Sequence, residues 1–313
     1  MSVGKFCRGA LMGALLTISF PTAIAAQPAS ASAELDAMID AIHERLVSVW
    51  ENEVKAAIDL VPEYRGRARG VGLVEPPRTA ARRNCPEVPR LRANPSRIEY
   101  TREIILYHLM IEQANLLYFT GVIDDPAELD RYLTEVLLDE GFKARALCRD
   151  NLLDPKPYPD RFPTIASHLG WTETRYTSVI SDLRRRYRLL ADYSSAFPIF
   201  FVLLHEFGHI QNGDGPGSFN LEKEMAADRV AIRVMHANKV PSTFGAGHLL
   251  FFSDEAGRVS RESACRIEAL AKADNRPGRT PDVYLPELGR AALRRLGELR
   301  DHYIRRYGAI CRS

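Results

Sequence analysis

The sequence carries no surplus of charge. Its 42 Lys and Arg offset 40 Asp and Glu, a formal net charge of +2. That balance excludes a binder held to nucleic acid or to an anionic membrane by bulk electrostatics. No Cys-x-x-Cys pair occurs, which excludes a cysteine zinc site and a thioredoxin-like motif. The apolar stretches Gly9 to Phe20 and Ala196 to Leu204 are both too short to cross a bilayer comfortably. No internal repeat, glycine-rich phosphate loop or base-stacking aromatic pattern is present. Strand signals are scarce, and Tyr176 to Ile180 is the short β-rich run near the motif described below. The expectation is therefore a mainly α protein with at most a small β element. At 313 residues the chain is long enough for one large domain or two small ones.

The N-terminus reads as an export signal. Lys5 and Arg8 form a short basic region, Gly9 to Phe20 is uncharged and apolar, and Ala23-Ile24-Ala25 is an A-x-A cleavage site. Cutting after Ala25 leaves a periplasmic or secreted protein with no stable membrane insertion; the competing reading is an uncleaved anchor. Residues 26–33 form a small, polar linker. Cys7 leaves with the signal, and Cys85, Cys148, Cys265 and Cys311 remain. In an oxidising compartment four cysteines predict two disulfides, with three possible pairings.

The mature chain divides into an N-terminal helical region, 34–160, and a catalytic region, 161–313. Apolar residues at three- and four-residue steps predict a helix from Glu34 to about Val61, ended by Pro62. Glu63 to Pro95, rich in Arg, Pro and Gly, reads as a solvated loop. A helix follows over Arg97 to Thr120, with His108 on its apolar face read as a core histidine. Asp125-Pro126 opens another, to about Cys148. The prolines between Asp150 and Pro163 exclude regular structure there. Thr174 to Tyr193, Arg258 to Ala273 and Leu285 to Tyr307 read as further helices; His236 and His302 read as surface or supporting residues.

The chemistry is concentrated in Phe200 to Asn212, FFVLLHEFGHIQN. Within it, His205-Glu206-Phe207-Gly208-His209 matches H-E-x-x-H. On a helix, residues four apart share a face about one turn apart, ~6 Å along the axis. His205 and His209 can then offer two imidazole nitrogens to one Zn²⁺, with Glu206 activating a zinc-bound water. The preceding run is apolar all round, which marks a buried helix. Polar groups buried there without a partner would be costly. Gly208 permits close approach of another backbone. Gly213 can stop the helix, GDGPG can reverse the chain, and Asn220 can cap a second helix running to about Ala237. That helix brings Glu224 near His209 as the third metal ligand. Glu222, two residues earlier, competes for this role from a different face. Asp228, four residues past Glu224, can accept a hydrogen bond from a ligand histidine. Further on, His248 can stabilise the oxyanion of a tetrahedral intermediate, or can be a packing histidine.

His205-Glu206-x-x-His209 followed by Glu224-x-x-Ala227-Asp228 resembles the gluzincin zinc metallopeptidases. The short gap between the motifs and the form HEFGHIQNGD look most like the compact ImmA/IrrE-like and phage-exclusion Lit-like peptidases. The resemblance covers about Phe197 to Met235. It implies a zincin-like helical catalytic core, one zinc ion per chain held by His205, His209 and Glu224, and Glu206 as general base. Those compact relatives are typically intracellular, whereas this chain carries an export signal, so their substrates are not carried over. The expected partner is a peptide or protein substrate and not a nucleic acid. The alternative from another class is a catalytically silent zinc-binding scaffold.

Overall fold

The computed structural model describes residues 43–44, 46–76, 91–133, 164–186, 197–214, 220–238, 240, 242, 265–270, 272–273 and 286–307. The segments expected to be an export signal and a linker lie outside them, as do His248, Cys85, Cys148 and Cys311. The fold is mainly α with one small three-stranded sheet.

Helix α1 covers residues 46–59, with a π turn at Trp50–Val54 and an α-helical end at Lys55–Asp59. Pro62–Tyr64 then form a 3₁₀ turn. Three short strands follow: β1 (Gly72–Val74), β2 (Leu91–Asn94) and β3 (Arg97–Tyr100). Their order is β1-β3-β2, with β1 parallel and β2 antiparallel to β3. After them come α2 (Arg102–Phe119), α3 (Pro126–Arg131), α4 (Ile165–His168) and α5 (Glu173–Arg186). Next are α6 (Phe197–Asn212) and α7 (Leu221–Ala237). A helical segment α8 at 265–270 and the long α9 (Pro286–Tyr307) complete the described chain.

The sheet departs from the sequence reading. β1 and β2 lie in what reads as a solvated loop, and β3 occupies the first turn of the expected 97–120 helix. Pro95 and Ser96 make a two-residue hairpin turn, so Asn94 faces Arg97 and Ala93 faces Ile98. Ile98 and Tyr100 then alternate inward and are fully buried. The helix starts later, at Thr101, whose extended backbone (φ −100°, ψ 150°) makes it the N-cap. The β-rich run Tyr176 to Ile180 is helical, inside α5. Its apolar residues Tyr176, Val179 and Ile180 instead follow a helical spacing and pack partly buried on the core.

One buried cluster runs from Leu46 through Trp50, Ile58, Ile98, Tyr118, Phe201, Leu204, Phe207, Val234 and Leu299 to Tyr303. Its side chains come from both sides of residue 160. Two polar ties lock distant parts. The Trp50 indole donates to the Val71 carbonyl at 3.1 Å, and the Tyr118 hydroxyl to the Arg295 carbonyl at 2.9 Å. The fully buried Asp130 accepts from His302 at 2.8 Å, from the Tyr303 hydroxyl at 3.0 Å and from Arg306, fastening α3 to α9. Helix α6 is the centre of this packing, touching α7, α1, α2, β2 and β3. Among the described residues no helix is long and apolar enough to cross a membrane.

Candidate metal centre

Helix α6 ends in a way that shapes the site. Gly213 takes φ +70°, a left-handed conformation that stops the helix. Its N–H donates to the Ile210 carbonyl at 3.2 Å, and the Asp214 N–H reaches back to the His209 carbonyl at 2.9 Å. This pair of bonds is a Schellman motif. It lays Asp214 over the turn that carries His209. The chain re-enters a helix at Asn220, whose side-chain oxygen accepts from the N–H groups of Glu222 (2.9 Å) and Lys223 (3.4 Å).

Helices α6 and α7 then pack with almost no gap. A Cβ built on Gly208 would lie 2.7 Å from both Cα and O of Ala227. Only glycine fits here, and the contact brings the donors of the two helices together. His205 and His209 sit one turn apart on α6; Glu224 and Asp228 sit one turn apart on α7.

Three donor groups converge. His205 Nε2 is 3.1 Å from His209 Nε2 and 3.1 Å from Glu224 Oε2; His209 Nε2 is 3.4 Å from Glu224 Oε1. Two ring nitrogens and a carboxylate at this range cannot all present lone pairs to one another. A proton or a cation has to lie among them. The spacing also suits a cation: donors ~2.0–2.1 Å from a tetrahedral ion stand ~3.3 Å apart. His205, His209 and Glu224 thus form a group able to hold a metal ion. Glu222 is exposed on another face of α7 and takes no part.

Each imidazole is backed at its other nitrogen. His205 Nδ1 donates to Asp228 Oδ1 at 2.9 Å, and His209 Nδ1 to Asp214 Oδ2 at 3.0 Å. Such bonds fix the ring orientation and leave Nε2 for the ion. The Asp228 contact agrees with the sequence reading. Asp214 is absent from that reading, although a Schellman cap on a helix with histidine at its C3 position is a signal that points to it. Arg266, on α8, is absent from it as well. This side chain is 1% exposed and forks onto Asp228, with Nε 2.7 Å from Oδ2 and Nη2 2.8 Å from Oδ1.

A comparison with protein-family models, curated proteins and solved structures returns no match.

The electrostatics follow from burial and these partners. Burial disfavours the charged His205 ring, but hydrogen bonds to Asp228 and Glu224 outweigh it and raise its pKa to about 9. His209 is also raised: burial acts against the charged ring, and Glu224 overcomes it. Burial raises the Glu224 carboxyl, yet hydrogen bonds to both imidazoles hold it well below the usual carboxylate range. Burial likewise acts upward on Asp228, and the Arg266 charge brings it down to about 2. Glu206, 5% exposed, is raised chiefly by burial, with the neighbouring imidazoles opposing. The backbone N–H of Ala93, on β2, faces the carboxylate and also opposes the rise.

In the ion-free protein His205 holds its proton at pH 7. That contribution to stability is complete below the ordinary 6.5 and is lost as the pH rises through about 9. Metal uptake at Nε2 has to displace the proton. Titrating ion-free protein with Zn²⁺ in weak buffer is expected to release at least about one proton at pH 7, from His205 and in part from His209. Affinity should strengthen about tenfold per pH unit until the pH nears 9. Uptake without proton release would mean that the ion binds elsewhere.

Proposed function

We propose that the protein is an exported, zinc-dependent metallopeptidase. The observation that carries this reading is the convergence of two imidazoles and one carboxylate beside a buried fourth group, Glu206, that makes no part of the donor set. Two nitrogens and one oxygen suit Zn²⁺ and leave one tetrahedral position open, as in catalytic rather than structural sites. A bound zinc ion would polarise a carbonyl and lower the pKa of water.

The chain's own residues supply the rest. Asp228 and Asp214 orient the two rings. The Ala93 N–H faces the Glu206 carboxylate, and burial raises its proton affinity. Glu206 is thereby suited to take a proton from the attacking water and to pass it to the leaving amine.

The hairpin supports a peptide as substrate. Turn-adjacent residues of a two-residue hairpin pair with each other, so Asn94 and Arg92 direct their polar main-chain groups toward β3. Ala93 and Leu91 direct theirs to the outer edge, where Glu206 lies. Among the described residues that edge has no strand beside it. An extended peptide can add there through main-chain hydrogen bonds. Export is supported by the disulfide at Cys265, since such bonds persist in oxidising compartments.

The test is metal content together with hydrolysis of a peptide library. The purified protein is expected to hold one zinc ion per chain. Chelation should abolish cleavage, and Zn²⁺ should restore it. A protein that binds no zinc refutes the proposal. One that binds zinc and cleaves no peptide under any condition is the silent scaffold instead.

A further inference from the structure

Arg266 makes a buried fork on Asp228 and has one nitrogen left over. Nη1 has no hydrogen-bond partner, though the side chain is 1% exposed. It lies 3.4 Å from Glu224 Oε2, the oxygen that also faces His205 Nε2 at 3.1 Å. The other Glu224 oxygen faces His209 Nε2 at 3.4 Å. The surrounding carboxylates offset the burial of the guanidinium, yet this donor adds no hydrogen bond to that balance. Its geometry fits another task. The three nitrogens are coplanar and fixed in direction, and they span the carboxylates of Glu224 and Asp228, which a lysine ammonium cannot do. Cys265, immediately before it, is disulfide-bonded, so the backbone carrying Arg266 is covalently anchored.

We propose that Arg266 is a positioning residue of the metal centre: Nε and Nη2 hold Asp228 against His205, while Nη1 sets the rotation of the Glu224 carboxylate between the two imidazoles. The inference rests on the metallopeptidase reading only in taking Glu224 as a metal ligand. Without the guanidinium, Glu224 is free to turn about its last bond. The donor set then loses its common focus while the helices that carry it stay in place.

The test compares wild type with Arg266→Lys, which keeps the charge and loses the span. Two readouts are taken: Zn²⁺ affinity by competition with a chromophoric chelator, and the visible spectrum of the Co²⁺-loaded protein. Folding is checked by near-UV circular dichroism. For a folded Arg266→Lys protein the expected result is zinc binding weaker by about 10- to 100-fold and a shifted Co²⁺ band pattern. Wild-type affinity and spectrum in that folded variant overturn the proposal. Should Arg266→Lys fail to fold, the double variant Arg266→Met with Asp228→Asn replaces the buried pair by neutral groups of similar volume. The amide oxygen that Asp228→Asn introduces would still accept from His205 Nδ1, and the same weakening is expected; unchanged zinc affinity overturns the proposal. A wild-type protein that binds neither ion refutes the metal reading itself, and this inference with it.

Discussion

Replacing Glu206 by Gln is expected to lower kcat by about 10²- to 10⁴-fold while leaving zinc content unchanged. The substitution keeps the shape of the side chain and removes only its ability to take a proton. Glu206 stands outside the donor set His205, His209 and Glu224, so the ion loses no ligand. The amide oxygen can face the Ala93 N–H as the carboxylate does. Stability should not fall, because the buried carboxylate is held at a cost that the neutral amide does not carry. Single-turnover hydrolysis and metal analysis of one preparation decide it. Full activity in Glu206→Gln would remove this residue as the base. Lost metal together with lost activity would show that it acts through the ion's binding.

The second large effect belongs to Gly208. Alanine is the better helix former by about 1 kcal/mol, so on propensity alone Gly208→Ala would stabilise α6. The packing runs the other way. The new methyl would stand 2.7 Å from Cα and O of Ala227, and 3.1 Å from its carbonyl carbon. Comfortable carbon contacts lie near ~3.5–4.0 Å. All three clashing atoms are main chain, so no side-chain rotation relieves them, and the helices have to separate. Overpacking typically costs about 1–3 kcal/mol, which exceeds the propensity gain. The expected result is a net loss of stability and a larger loss of metal binding, since α6 carries the histidines and α7 carries Glu224 and Asp228. Denaturant unfolding and zinc competition check both parts. A Gly208→Ala protein as stable and as zinc-avid as wild type would contradict the close packing of α6 on α7.

What is legible in the sequence is local in the chain. The α6 helix, its stop at Gly213, the cap at Asn220 and the run of α7 to Ala237 rest on patterns a few residues long. Glu224 over Glu222, and the Asp228 bond to His205, follow from helical spacing once those two helices are granted. What is not legible comes from elsewhere. Arg266 meets His205 from 61 positions away, and nothing in the pattern around it marks a buried ion pair. The hairpin escapes a sequence reading because its strands are four residues each, and because Ile98 and Tyr100 also fit the start of a helix. Three- and four-residue strands carry too few alternations to outweigh a long helical pattern next to them.

The approach of the Ala93 N–H to Glu206 has a consequence of its own. The donor is an amide of the main chain, and every amino acid except proline supplies it. Evolution can therefore exchange the side chain at this position, within the space that its burial allows, without letting go of the carboxylate. Proline is the one replacement that severs the link, and it does so without removing a ladder bond, because this N–H points away from β3. In this part of the molecule, heritable change is filtered by backbone shape rather than by residue identity.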